Sequence, residues 1–134
     1  MKNTAIIALC LGLAALVAGC VHPVLPVSTK PSGKKLVAAL SPGLTGQSFK
    51  ALSAKERGAA LAAEYKALEY ARAGETVRWG TEGQGAWGTV VPRSPYQVGS
   101  LNCRQYSHNF TIQGLPQTVY GSACRNPDGS WVLL

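Results

Sequence analysis

Two cysteines, Cys103 and Cys124, bracket a stretch whose pattern supports one strand register. The midpoint of the stretch falls between Gln113 and Gly114. A two-residue turn there pairs Ile112 with Leu115 and, further down, Cys103 with Cys124. Gly114 supplies the positive φ that a type I′ turn needs at its second position; Gln113 is a weaker choice for the first. With Ile112–Leu115 as the first hydrogen-bonded pair, alternation makes Cys103–Cys124 a non-hydrogen-bonded pair. There the Cα atoms approach most closely, within the range a disulfide tolerates. Pro116 also falls in a non-hydrogen-bonded position, so its missing N–H costs this ladder nothing. One face collects Tyr106, His108, Phe110, Ile112, Leu115, Val119 and Ala123. The other collects Gln105, Ser107, Asn109, Thr111, Thr118 and Ser122. A one-residue slip destroys both the facing cysteines and the apolar face.

Whether these cysteines are reactive thiols, metal ligands or a staple depends on the compartment. The chain begins MKNTAIIALCLGLAALVAGC. One charge, Lys2, precedes an apolar run from Ala5 to Val17, and the small residues Ala18 and Gly19 lead into Cys20. That is the layout of a secretory signal, with an apolar run too short for a comfortable bilayer span. Val17-Ala18-Gly19-Cys20 looks like a bacterial lipobox. In proteins with that motif the cysteine is acylated, by palmitate-type chains among others, and cleavage leaves it as the new N-terminus. Residues 1–19 are therefore read as a lipoprotein signal peptide and Cys20 as the lipidation site. The exported protein is then anchored to a membrane instead of spanning it. It sits where disulfides persist. Val21 stands where an aspartate favours inner-membrane retention, so the outer membrane is expected. Cys10 lies inside the signal.

Residues 20–52 read as a lipid-anchored tether. Three prolines between Val21 and Lys35 give it stiffness without a periodic apolar face. A short helical segment follows, broken at Pro42 and Gly43; Ala39, Gly43 and Gly46 form a small-residue pattern too short to span a bilayer. Residues 53–134 read as the folded domain. Ser53-Ala54-Lys55-Glu56 is a capping box opening a helix. Leu61, Tyr65 and Leu68, with Ala62 beside them, make its apolar stripe. Glu64, Glu69, Lys66 and Arg72 read as a solvated face. Gly74 is the expected terminator. Strands are expected at 76–79, at 87–91 closed by Pro92, in the cysteine hairpin, and at 130–134 after the turn Asn126-Pro127-Asp128-Gly129. The fold class is α+β: one N-terminal helix packed on a small antiparallel sheet of about four to five strands.

In an oxidising compartment a Cys103–Cys124 disulfide is the strong reading, contributing about 3 kcal/mol by constraining the unfolded chain. A metal site lacks a CxxC partner, and strand parity points His108 away from Cys103. A cysteine–histidine catalytic pair fails on the same parity. His22, next to Cys20, and His108 carry no assigned role; His108 reads as a core-edge residue. Asp128 belongs to its turn. Gly83, Gly85 and Gly88 do not match a phosphate-binding loop. Trp79, Trp87 and Trp131 are a weak candidate binding surface, with core packing the stronger reading. No nucleophile, base and orienter assemble, so the chain reads as a non-enzyme without cofactor or metal. The charge balance, 13 Lys+Arg against 6 Asp+Glu for +7, lacks the dense basic run of a nucleic-acid arm. It suits a solvated surface first, and attraction to anionic lipid or glycolipid headgroups second.

"CRQY" with its symmetric hairpin, "YGSACRNPDGSW" near the C-terminus, and upstream "ALEYARAGETVRW" and "GTVVP" resemble the C-terminal domain of the rickettsial 17-kDa surface antigen family of outer-membrane lipoproteins. The resemblance covers roughly Leu44 to Leu134. Many members carry a long glycine zipper between lipobox and helix; here only Gly43 and Gly46 remain of it. The resemblance implies a surface-antigen-type protein with no enzyme activity and no catalytic residues. The expected function is a structural or interaction role in the cell envelope. The expected partners are the outer membrane through the acyl chains, envelope proteins or anionic glycolipid, and no nucleic acid. The alternatives are a periplasmic binding or inhibitor module, or an accessory lipoprotein of an envelope assembly or secretion machine.

Overall fold

The computed structural model describes residues 33–38, 40 and 47–134. The signal peptide, Cys20, His22, Ala39, Gly43 and Gly46 lie outside the described residues. Two short helices, α1 (Gly33–Ala38) and α2 (Gln47–Lys50), precede the long helix α3 (Ala54–Tyr70). Five strands follow: β1 (Val77–Trp79), β2 (Trp87–Val98), β3 (Leu101–Ile112), β4 (Leu115–Arg125) and β5 (Trp131–Leu133). They form one antiparallel sheet in chain order, and α3 packs on one face, against β1, β2 and β3. The α+β class and its single staple are as the sequence predicts.

The hairpin register is the expected one: Ile112 faces Leu115, Thr111 faces Pro116 and Cys103 faces Cys124. Gln113 and Gly114 both take positive φ, 52° and 78°, as a type I′ turn requires. The Cys103–Cys124 disulfide is formed, with Cα atoms 4.0 Å apart. Tyr106, Phe110, Ile112 and Ala123 enter the core. Leu115 shares their face but lies beside the turn and is 65% exposed.

Strand β2 departs from expectation. It does not stop at Pro92 but continues to Val98, and the Ser94-Pro95-Tyr96 connection is strand. Pro92 faces Tyr106 and Pro95 faces Arg104, so one extra residue sits in β2 as a bulge. The Pro92 carbonyl accepts from Gly74 N–H. Its backbone groups therefore point to the β1 side, and the absent N–H leaves the β3 ladder intact.

Helix α3 opens as predicted. Ser53 Oγ accepts from Glu56 N–H, and Glu56 Oε2 accepts from Ser53 N–H at 2.7 Å. Its buried stripe is Ala60, Ala63, Glu64, Ala67 and Leu68. That corrects the expected stripe: Leu61 and Tyr65 are half-buried, and Ala62 is exposed. Glu64, expected on a solvated face, lies at the centre of the buried one. The helix also ends early, at Tyr70 with Ala71 as cap, so Gly74 belongs to the following turn. The core also takes in Leu40, Phe49 and Leu52, which precede α3 in the stretch read as tether.

Candidate functional site

Three polar assemblies join the helix to the sheet. The most buried is a chain of three side chains. Trp79 Nε1–H donates to His108 Nε2 at 2.7 Å, and His108 Nδ1 lies 2.8 Å from Glu64 Oε1. An indole can only donate, so Nε2 is the accepting nitrogen. The ring proton then sits on Nδ1 and is donated to Glu64. Both His108 and Glu64 are wholly buried. Burial raises the Glu64 pKa, against the opposing hydrogen bonds of His108 and Tyr106. Burial, and then the charge of Glu64, raises Tyr106 above the ordinary phenol value. Glu64 Oε2 has no hydrogen-bond partner. Phe110 meets the imidazole edge to face at 5.4 Å, and Phe49 lies 6.1 Å away.

Geometry explains why Trp79 reaches this site. It faces Gly88 across β1 and β2. A Cβ at Gly88 would lie 2.8 Å from Trp79 Nε1 and 2.5 Å from the Asn109 carbonyl oxygen. Only a residue without a side chain lets the indole lie flat enough to meet His108.

The second assembly terminates the helix. Arg104, 7% exposed, donates from Nη1 to the carbonyls of Ala67, Leu68 and Ala71 at 2.9–3.2 Å. Its Nε donates to the Arg93 carbonyl at 3.1 Å. One guanidinium from β3 thus satisfies the free carbonyls of the last turn, where the helix dipole also favours a cation. This is why the helix stops without a glycine. The third assembly is on β4 and β5. Arg125 grips Glu69 with two bonds, at 2.8 and 2.9 Å, and Trp131 Nε1–H donates to the same carboxylate at 2.9 Å. At the other end of α3, Glu56 also accepts from Ala86 N–H at 2.9 Å.

The three tryptophans therefore do not form one surface. Trp79 and Trp131 are in the core with their N–H groups committed to His108 and Glu69. Trp87 is half-buried on the opposite face of the sheet. Cys103 and Cys124 are joined to each other and are not thiols. His108 is sealed from solvent, so it cannot meet a substrate. Asp128 accepts from Ser130 N–H and Oγ, as a turn residue does. Among the described residues no group of three or more His, Cys, Asp or Glu is placed to hold a metal. Among them, no helix is long and apolar enough to cross a membrane.

Glu64 and Arg104 escaped sequence reading because charged residues ordinarily mark a solvated face. One signal existed for each. Glu64 sits at i+4 from Ala60 and i−4 from Leu68, inside the small-residue stripe. Arg104 sits two residues before Tyr106, on the inward parity of β3.

The family described as "17 kDa outer membrane surface antigen" matches residues 66–132. Among similar proteins, the 17 kDa surface antigen of Rickettsia bellii is 39% identical over 70 residues, 52% of this chain and 44% of that protein. The antigen of Rickettsia conorii is 39% identical, and that of Rickettsia prowazekii 37%, over the same share. The chain thus spans less than half the length of the relatives it matches. No solved structure matches.

Proposed function

Because the chain belongs to the 17 kDa outer membrane surface antigen family, we propose that it is a non-enzymatic lipoprotein of the bacterial outer membrane. Its folded domain is carried on acyl chains at Cys20 and has a structural or interaction role in the cell envelope. The observation that carries this reading is the match itself. It runs from the last turns of α3 to β5 and so takes in the Arg104 clamp, the Glu69 grip and the disulfide.

A non-catalytic role is supported by how the reactive side chains are used. His108 and Glu64 are bonded to each other in the core, and Cys103 and Cys124 are joined in a disulfide. Attraction to anionic headgroups is supported by the charges left over. Glu56, Glu64, Glu69, Glu75 and Asp128 are engaged by internal hydrogen bonds. Lys50, Lys55, Lys66, Arg72, Arg78 and Arg93 are exposed. These cations outnumber the exposed acids Glu75, Glu82 and Asp128, so the outward field is positive, and anionic lipid or glycolipid is its natural counterpart. Membrane attachment is supported by the lipobox-like Val17-Ala18-Gly19-Cys20, and the outer membrane by Val21.

The test is Cys20→Ala in the full chain. It is expected to abolish incorporation of labelled fatty acid and to release the protein from membranes. Continued labelling refutes the anchor, and wild-type protein in the inner-membrane fraction refutes the location.

A further inference from the structure

The Trp79–His108–Glu64 chain ties three elements together: β1, β3 and α3. Its geometry fixes where protons can sit. His108 Nε2 accepts from the Trp79 indole, which has no acceptor form, so Nε2 carries no proton. A proton added there meets the Trp79 N–H head on and breaks the bond. The imidazole is therefore neutral, and its one ring proton points from Nδ1 to Glu64 Oε1. The pair has the spacing of an ion pair but lacks the cation.

The carboxyl then has nothing to balance a charge. Glu64 and His108 are wholly buried. Glu64 Oε2 has no hydrogen-bond partner among the described residues. Across the sheet His108 faces Val90 and Val119, and Phe49 and Phe110 pack on its ring. The titratable groups that act on Glu64 are His108 and Tyr106, both from β3 and both without charge. Arg104, the inward cation of β3, is spent on the carbonyls that end α3. A buried carboxylate without a cation is so costly that the group takes up a proton instead. Burial pushes Glu64 in the same direction.

We propose that the core keeps one proton at neutral pH: Glu64 is a neutral carboxylic acid, its hydrogen on Oε2 and turned to the Tyr106 hydroxyl, and this proton is a latch that seats α3 on the sheet. The acid accepts from His108 at Oε1 and donates from Oε2, so the orphaned oxygen is used. Loss of the proton leaves a bare negative charge in the middle of the helix–sheet contact and loosens α3. The folded protein holds the proton more tightly than the unfolded chain. The seat is therefore firmest below the ordinary carboxylate range. It weakens as pH rises toward the native titration, by about tenfold in the opening equilibrium per pH unit, and is level beyond it.

The test compares infrared spectra of the full chain in detergent at pH 7 with those of Glu64→Gln, whose amide mimics the neutral acid. A carboxylic-acid carbonyl band is expected in the wild type and absent from the variant. A difference spectrum with ionised carboxylate alone overturns the proposal, and so does an imidazolium signature for His108 in nitrogen-15 spectra. Trp79→Phe frees Nε2, so the proton is expected to move to His108 and the acid band to disappear; a band that persists in the folded variant overturns the proposal. The latch is read from α3 amide exchange in the wild type relative to Glu64→Gln at matched pH. That ratio is expected to rise by about tenfold per pH unit between the ordinary carboxylate range and pH 7. A constant ratio over that interval overturns the latch.

Discussion

Replacing His108 with leucine removes the middle of the Trp79–His108–Glu64 chain. The leucine fills the volume, so the cavity term is small and the polar terms dominate. The Trp79 N–H is left buried and unpaired, at about 1–3 kcal/mol. Glu64, without a partner at Oε2, loses the His108 hydrogen bond at Oε1. Breaking a buried pair from one side costs about 3–5 kcal/mol in all. A domain of this size is stable by only about 5–15 kcal/mol. The expected fall in Tm is roughly 12–40 °C, at about 4–8 °C per kcal/mol. Removing both partners tests the mechanism. Glu64→Leu with His108→Leu leaves no buried carboxylate, so the double variant is expected to be more stable than the sum of the singles by about 1–3 kcal/mol. Urea unfolding followed by tryptophan fluorescence measures all four corners of the cycle. A loss below about 1 kcal/mol for His108→Leu, or strict additivity of the pair, would refute the reasoning.

Two further outcomes follow from the other assemblies. Arg104→Met leaves the Ala67, Leu68 and Ala71 carbonyls without their donor. It is expected to cost about 2–4 kcal/mol and to speed amide exchange in the last turn of α3 ahead of the sheet; unchanged protection there rules out the clamp. The acid limb of stability belongs in part to Glu56, whose pKa is lowered from 4.5 to about 2, first by the Ser53 hydroxyl and then by Ala86 N–H. Between those values the unfolded chain holds a proton that the native one does not, so stability falls as pH drops through this window. Glu64 is shifted upward, so its contribution has the opposite sign and is lost as pH rises above the ordinary carboxylate range. Urea midpoints across pH are expected to flatten on the acid side in Glu56→Gln and on the other side in Glu64→Gln.

Local chemistry was legible in the sequence wherever it was self-sufficient. The hairpin needed only a central turn, two cysteines and an alternating pattern, and all of them agree on one register. The N-terminus of α3 needed only Ser53 and Glu56, three residues apart. What escaped depends on partners far along the chain. The stop at Tyr70 is set by Arg104, more than thirty residues later. The burial of Glu64 is set by His108, and the path of β2 past Pro92 by the Gly74 N–H. The inward faces of Trp79 and Trp131 depend on Gly88 and Glu69. No window of local sequence contains those pairs, and an isolated charge or proline defaults to the surface or to a break.

Cys103 and Arg104 are consecutive on β3, so one faces away from the helix and the other toward it. The covalent bond and the helix clamp therefore stand back to back on a single strand. Sliding β3 past β4 by one residue puts the two sulfurs on opposite sides of the sheet, where no bond can form. Oxidation thus proofreads the hairpin: only a chain already in register can be locked. Because Arg104 rides on the same segment, the lock also fixes the strand that the end of α3 needs in order to seat.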